Sequence, residues 1–198
     1  MILGTPVITK KTQIFGQKKT AKRATISSVV TGATSGTVTF RAGTKKITSV
    51  AIKNGTAKVV LPKTLAAGKY TTINAYYAGT STTAAAKSPN AKFTVTKAHL
   101  VKKVKLTGTK SFSAGAKPKL HVKLGKLTNG AFATGTVKFS VNGKKAGSVK
   151  LTAKNKGKIT TKLAKKYASS IKVKITYVGS PKASITKSSS KKLIFKVK

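Results

Sequence analysis

The sequence contains no aspartate and no glutamate among its 198 residues. A soluble chain of this size ordinarily carries on the order of two dozen acidic side chains, so their complete absence reflects selection or engineering and not drift. The 42 lysines and arginines are uncompensated, and the formal net charge is +42. A field of this strength attracts polyanions and repels other copies of the chain. We therefore expect a monomer in the absence of polyanion.

The missing carboxylates exclude most kinds of catalytic and metal site. Calcium sites in β-sheet domains need several carboxylate oxygens. Glycosidase carboxylate pairs, aspartyl dyads and Ser-His-Asp triads each need an acid that this chain does not contain. A lysine nucleophile would need a shaped pocket that lowers its pKa, and the sequence indicates none. We therefore expect no catalytic residue, no bound metal and no cofactor.

Cysteine is also absent, which excludes disulfides, thiol nucleophiles and zinc-thiolate sites. His99 and His121 are the only histidines, and we interpret them as a linker residue and a strand residue, because two ligands make a poor metal site. No stretch approaches 18 consecutive apolar residues, so no membrane span is predicted. The first four residues are too short for a signal-peptide core, and we expect a fragment or mature form of a longer exported protein.

An internal repeat organises the chain. Residues 36–40 have the sequence GTVTF, and residues 135–139 have the sequence GTVKF. Val and Phe hold alternate positions, so in a strand they share one face while Thr39 or Lys138 points to the other. The face predicted to be buried stays apolar in both copies, whereas the face predicted to be exposed changes from a hydroxyl to an ammonium group.

Short alternating segments separated by turns recur in both copies and predict two β-sandwich domains, residues 1–97 and 98–198. In the first, the predicted strands are residues 6–11, 24–30, 36–40, 47–52, 57–61, 70–77 and 92–96. In the second, they are residues 119–124, 135–139, 148–151, 171–177 and 193–197. Asn54 and Gly55 predict a hairpin, since both residues accept positive φ. No segment has a sustained 3.6-residue period, so helices should be absent or a single turn.

The repeated framework resembles bacterial immunoglobulin-like repeats. The resemblance is carried by the Gly-Thr-Val-x-Phe strand, a Ser-Val-x-Ile/Leu strand at 49–52 and 148–151, and a long strand that ends in Tyr-x-Gly at 77–79 and 177–179. It implies an all-β chain of two tandem immunoglobulin-like β-sandwich domains, secreted or on a bacterial cell surface. In such repeats the loop after Tyr-x-Gly commonly carries Asp, but here it carries small neutral residues. This substitution favours a naturally supercharged protein over an engineered one.

The lysines are unevenly distributed. Residues 1–97 contain 14 lysines, and residues 98–198 contain 26. In residues 119–124 and 171–177 they alternate with apolar residues, as expected for the solvent side of a strand. A surface that serves only solubility mixes both signs of charge, so this surface indicates a partner. The predicted polyanion-binding residues are Lys138, Lys144, Lys145, Lys165, Lys166, Lys172, Lys174, Lys191 and Lys192.

The ratio of 40 lysines to 2 arginines limits the kind of recognition. Arginine forms planar bidentate contacts with phosphates and base edges, whereas lysine acts as a mobile point charge. We therefore predict a non-enzymatic polycationic protein that binds polyanions without sequence specificity and with steep salt dependence. The candidate partners are DNA, RNA, heparin-like glycans, teichoic acids and anionic membrane surfaces, and the second domain should bind more tightly.

Two other interpretations remain open from the sequence. The chain would also suit a structural spacer or adhesin module that grips the anionic wall of the producing cell or a host surface. Flanking sequence would favour this interpretation if it carried further repeats or a wall-sorting signal. The third interpretation is an engineered supercharged carrier, for which an unmodified parent would have acidic residues in the loops.

Overall fold

The computed structural model describes residues 1–102, 104–107, 110–180, 185–186 and 188–198, and for 188–191 the backbone alone. The chain divides into two compact units, Met1–Lys97 and Ala98–Lys198. Both are built from strands, and the helical structure of the described residues consists of two single 3-10 turns, Thr20–Lys22 and Ala153–Asn155. None of these described helices is long and apolar enough to cross a membrane. The all-β prediction is confirmed.

The ten strands of the first unit form one hydrogen-bonded network, in which two sheets are joined by one strand. Its strands are β1 (Ile2–Leu3), β2 (Val7–Ile8), β3 (Thr12–Ile14), β4 (Thr25–Thr31), β5 (Thr37–Ala42), β6 (Lys45–Lys53), β7 (Thr56–Val60), β8 (Gly68–Tyr77), β9 (Ala86–Lys87) and β10 (Ala91–Thr96). One sheet contains β1, β2, β4 and β7, and the other has the order β6-β5-β8-β10-β3, with β9 on β8. Strand β6 links them, because its residues 45–51 pair with β5 and its last two pair with β7.

The first strand predicted over residues 6–11 is confirmed only at β2, and residues 9–11 are not in a strand. Strand β2 runs antiparallel to β4, whereas β3, which begins after the predicted range, runs parallel to β10, so the chain crosses from one sheet to the other. Gln13 holds the crossing in place. Its buried side chain donates to the carbonyl of Pro62 at 3.1 Å and accepts from the amide of Ala24 at 2.9 Å. Apolar alternation predicts a strand but does not show that the partner strand changes.

The described residues of the second unit repeat this architecture with fewer strands. They are β11 (Lys105–Thr107), β12 (Ser111–Phe112), β13 (Lys119–Lys123), β14 (Gly135–Val141), β15 (Lys144–Leu151), β16 (Lys158–Lys162), β17 (Ile171–Gly179) and β18 (Ser188–Val197). A three-stranded sheet has the order β11-β13-β16, and a five-stranded sheet has the order β12-β18-β17-β14-β15. As β3 does with β10, β12 runs parallel to the last strand. The strand order of the first unit is thus kept.

The repeated Val and Phe occupy the core, as predicted. Val38 and Phe40 have no exposed surface, and Val137 and Phe139 are 0% and 3% exposed. Val38 pairs with a tyrosine of β8, and Val137 pairs with the corresponding tyrosine of β17. In both units the pairing with the next strand shifts by one residue directly after the Phe, which marks a β-bulge at the same place. The repeat therefore extends to register as well as to sequence.

The glycine that begins each copy of the repeated segment is required by the backbone. Gly36 has φ +106° and Gly135 has φ +123°, conformations that side chains with a Cβ rarely adopt. A Cβ on Gly36 would lie 2.7 Å from Cε2 of Tyr77, and one on Gly135 would overlap the carbonyl oxygen of Gly179. The space that a Cβ would need is filled in both units, by the Tyr77 ring in the first and by the Gly179 backbone in the second.

Two hairpins use Asn-Gly turns. Asn54 and Gly55 have φ +48° and +67° between β6 and β7, which confirms the predicted hairpin. Asn142 and Gly143 have φ +50° and +85° between β14 and β15. Such turns match the right-handed twist of the strands they join. The second hairpin borders the lysine-bearing face of the second unit.

Candidate polyanion-binding surface

Strand β17 places its lysines on the outside of the five-stranded sheet. Ile171, Val173 and Ile175 are at most 1% exposed and point into the core. Lys172 and Lys174 alternate with them and are exposed. Because successive side chains of a strand point to opposite faces, this alternation fixes the direction of both lysines. No main-chain or ionic partner within the described residues holds either ammonium group.

Strand register brings further predicted lysines into line with Lys174. Lys145 lies opposite Ser140, Ser140 opposite Lys174, and Lys174 opposite Lys192. Neighbouring strands are about 4.8 Å apart, so this row crosses four strands within roughly 15 Å. Lys138 lies on the same outward face, two residues before Ser140 on β14, and is exposed. We call this set of lysines, together with Lys172, the lysine face.

The other predicted residues lie at the side of this face. Lys144 and Lys165 are exposed and line, with Lys145, a groove of about 340 Å³ beside the β14–β15 hairpin. Lys166 follows Lys165 and is exposed. Lys191 pairs with Ile175 through its backbone, but its side chain lies outside the described residues. The prediction that these lysines bind polyanions remains a prediction.

Sequence reasoning missed a second set of aligned lysines, on the three-stranded sheet. Lys105 lies opposite Lys123, and Lys123 lies opposite Lys158, so three lysines form a row across all three strands. On the same sheet Lys119 lies opposite Lys162. Alternation along β13 indicates that its lysines are exposed. It cannot indicate which lysines face each other, because register depends on strands far apart in the sequence.

Direct like-charge pairs distinguish the second unit from the first. Four Lys–Lys pairs occur among the described strand pairs of the second unit: Lys105–Lys123, Lys123–Lys158, Lys119–Lys162 and Lys174–Lys192. The described pairs of the first unit include one cationic pair, Arg41–Lys46, and the Arg41 guanidinium stacks over the Tyr76 ring at 3.7 Å. Like charges directly opposite each other destabilise a sheet. The sequence has no acidic side chain to relieve them.

The two histidines are far apart in the sequence and have different hydrogen-bond partners. His99 is exposed and exchanges hydrogen bonds with Thr128 through its backbone. His121 is on β13, with Nδ1 3.1 Å from the Thr160 hydroxyl. Within the described residues no three metal-ligating side chains come together.

Tyr177 is the one phenol with a strongly shifted pKa, and it serves the fold. Its hydroxyl donates to the carbonyl oxygen of Thr134 at 2.6 Å. Burial raises the pKa of Tyr177 to about 12, although the hydrogen bond to Thr134 acts in the opposite direction. The bond anchors the segment that leads into β14, the strand that carries Lys138.

Comparison with known proteins identifies the first unit. Residues 7–96 match the family described as bacterial Ig-like domain (group 3). A solved structure of the D0-D1 domain of intimin is 14% identical, with coverage of 98% of this chain and 97% of that chain and a TM-score of 0.30. No curated protein matches the chain in sequence. The family predicted from the repeated strands is confirmed for residues 7–96, so the first unit belongs to the bacterial immunoglobulin-like domains.

Proposed function

We propose that the chain is a non-enzymatic, secreted or cell-surface module that binds polyanions through the lysines of its second unit. The observation that carries this proposal is the alignment of lysine with lysine across neighbouring strands. Each such pair costs stability, and no acidic side chain offsets that cost. A polyanion laid across the rows would relieve the repulsion, so binding and folding of the second unit favour each other.

The chemistry of the surface indicates how it binds. Lysine ammonium groups on flexible stems contact phosphate or sulfate as point charges and do not read base edges. Binding by such groups releases counterions, and affinity falls linearly with salt on logarithmic axes. The partners proposed on this basis are nucleic acid, heparin-like glycan, teichoic acid or an anionic membrane surface, with no metal in the contact.

A competition experiment tests the proposal. The full chain is bound to labelled duplex DNA at about 150 mM salt, then challenged with heparin, teichoic acid and anionic vesicles matched by charge. We expect the competitors to rank by charge density, with a steep salt slope for each. Absence of binding to all four at this salt would contradict the proposal. A competitor that wins far beyond its charge density would narrow the partner to that class.

A structural role is the second candidate, and the family of the first unit favours it. Residues 7–96 match a bacterial immunoglobulin-like domain, and such modules are typical spacers and adhesin parts of surface proteins. In this case the module would grip the wall itself, and contacts other than those of the lysines to polyanions would hold it there. Retention of the full chain on purified cell walls stripped of teichoic acid, in the presence of excess heparin, would support the structural role. Release under these conditions would support polyanion binding.

A further inference from the structure

A groove on the lysine face has the composition of an anion site. Lys172, Lys174 and Lys192 line it with Ser140 and Asn142, and its volume is about 310 Å³. We propose that this groove binds one tetrahedral oxyanion, a phosphate or sulfate group, and so anchors a polyanion at a fixed point. The inference rests on the proposed function and deepens it, because it replaces a diffuse positive surface with a defined contact.

The β14–β15 turn fixes one end of the groove. The Asn142 amide N–H donates to the Lys172 carbonyl at 2.9 Å, and the Asn142 Oδ1 accepts from the Lys172 N–H at 2.8 Å. The turn is therefore tied to β17, the neighbouring strand, by a reciprocal pair of bonds. The Lys172 backbone is held in place, and the Asn142 Nδ2 group makes no hydrogen bond within the described residues. That amide is a donor available to a ligand.

The other groups in the groove are also donors. Lys174 lies between Ser140 and Lys192, with about 4.8 Å between adjacent strands. Lys172 is two residues from Lys174 on the same face, about 7 Å away along the strand. The Ser140 hydroxyl makes no hydrogen bond to the described part of the chain and can donate. Three ammonium groups, a hydroxyl and an amide thus surround one space.

The spread of these donors favours a tetrahedral anion. They belong to three strands and the turn, so they are distributed both along β17 and across the sheet. Phosphate and sulfate present oxygens in several directions, whereas the two oxygens of a carboxylate lie in one plane. Charge-assisted hydrogen bonds to such oxygens are among the stronger ones in proteins. The ligand class is therefore a phosphate or sulfate group and not a carboxylate.

The first unit shows what the same place looks like without the site. Phe40 pairs with Ala75 and Phe139 with Ile175, so Thr72 and Asn74 occupy the positions of Lys172 and Lys174. The arginine that replaces Ser140 there stacks on a tyrosine ring. The asparagine that replaces Lys174 is only 1% exposed. These replacements leave no lysine-lined groove at this place in the first unit. They also provide substitutions for Lys172 and Lys174 that the same fold already contains.

The test compares two variants of the full chain. The groove variant, Lys172→Thr with Lys174→Asn, introduces the residues of the first unit. The control variant, Lys119→Thr with Lys162→Asn, removes the same charge from the other sheet and also relieves one Lys–Lys pair. Both should fold, which amide NMR spectra will report. Both should melt at or above the temperature of the unsubstituted chain, because each loses a like-charge pair.

The first readout is titration with small anions at constant ionic strength, followed by amide NMR. Phosphate and sulfate should give saturable shifts at Ser140, Asn142 and 172–174, and acetate should not. The groove variant should lose these shifts, and the control variant should keep them. Equal shifts with acetate would overturn the tetrahedral class, and absence of saturation with phosphate and sulfate would overturn the site.

The second readout is affinity for two polymers, single-stranded DNA and heparin, which separate phosphate from sulfate as the natural source. The groove variant should lose at least about tenfold in affinity for the preferred polymer, against about threefold for the control. Equal losses in the two variants would overturn the groove and leave the proposed function standing. Failure of the unsubstituted chain to bind either polymer would contradict the proposed function, while the small-anion titration would still decide on the groove.

Discussion

The two units of this chain share a framework and differ in what they present to solvent. In each, a Val and a Phe, on β5 in the first unit and on β14 in the second, are buried and pair with the strand that leads into Tyr-x-Gly. On the outward face, Thr39 corresponds to Lys138 and Thr72 to Lys172. The inward positions determine the fold, and the outward positions can change their charge without changing it. The second unit thus carries lysines at outward positions where the first unit has uncharged threonines.

The largest expected effect on stability comes from the repeated glycine, and it tests whether the two units share one framework. Gly135→Ala should destabilise the second unit by about 3 kcal/mol, because it combines a strained backbone with overlap onto the Gly179 carbonyl. Gly36→Ala should affect the first unit in the same direction through Tyr77. Hydrogen exchange on the full chain measures each unit separately.

The matched control is Gly115→Ala. Gly115 also has positive φ, at +73°, but no described heavy atom lies within 4 Å of the added Cβ. Only the conformational cost of about 1 kcal/mol should remain. If Gly115→Ala and Gly135→Ala destabilised the second unit equally, close approach at the repeated glycine would not be part of the shared framework.

The corresponding tyrosines, Tyr77 and Tyr177, should give a smaller difference in stability between the units. Tyr177→Phe should destabilise the second unit by about 1 kcal/mol at neutral pH, because it removes the hydrogen bond to Thr134. Tyr77 donates no hydrogen bond from its hydroxyl to the described residues, so Tyr77→Phe should cost less. Denaturant titrations followed by hydrogen exchange compare the two variants.

The pH dependence of this difference has a definite sign. The folded pKa of Tyr177 is raised to about 12 from the ordinary value of 10.0. The unfolded chain therefore loses this proton first, and the contribution of Tyr177 to stability is complete below pH 10 and is lost as the pH rises towards 12. The gap between the unsubstituted chain and Tyr177→Phe should narrow over that range. A gap that widened would contradict the assignment of burial as the cause.

Salt should stabilise the second unit more than the first, because it screens the repulsion within the Lys–Lys pairs. Raising the salt concentration from about 10 to 500 mM screens exposed charges. The second unit has four aligned Lys–Lys pairs, so its free energy of unfolding should rise by about 1 kcal/mol, more than that of the first unit. Hydrogen exchange at both salt concentrations checks the order. A flat response in the second unit would count against the repulsion.

The smallest expected effect comes from one lysine with two lysine neighbours. Lys123→Thr removes the pairs with Lys105 and Lys158 and should raise the stability of the second unit by about 0.5 kcal/mol. Lys150 lies opposite Thr136, so Lys150→Thr removes the same charge but no direct pair. Comparison of the melting temperatures of Lys123→Thr and Lys150→Thr separates local repulsion from the effect of net charge. An equal rise in melting temperature in the two variants would favour net charge alone.

The sequence was sufficient for most of the longer strands, because each of these has its own local signal of alternating apolar residues. Alternation over residues 171–177 predicted β17 (Ile171–Gly179), and the Asn54-Gly55 turn predicted a hairpin. The lysine rows could not be predicted in the same way. The row of Lys105, Lys123 and Lys158 depends on the register of three strands, which their separate sequences do not contain. The short strands β1, β3, β9, β11 and β12 were also missed, since two or three residues are too few for a periodic pattern. Strand β16 was missed as well, because Ile159 is the only apolar residue in it.

The central claim is that the lysines of the second unit, and not those of the first, contact a polyanion. Labelling the intact chain with an amine-reactive reagent, with and without heparin or single-stranded DNA, compares the described lysines in one experiment by mass spectrometry. We expect protection of Lys138, Lys145, Lys172, Lys174 and Lys192, while exposed lysines of the first unit such as Lys58 continue to react. Equal protection in the two units, or stronger protection in the first, would contradict the claim.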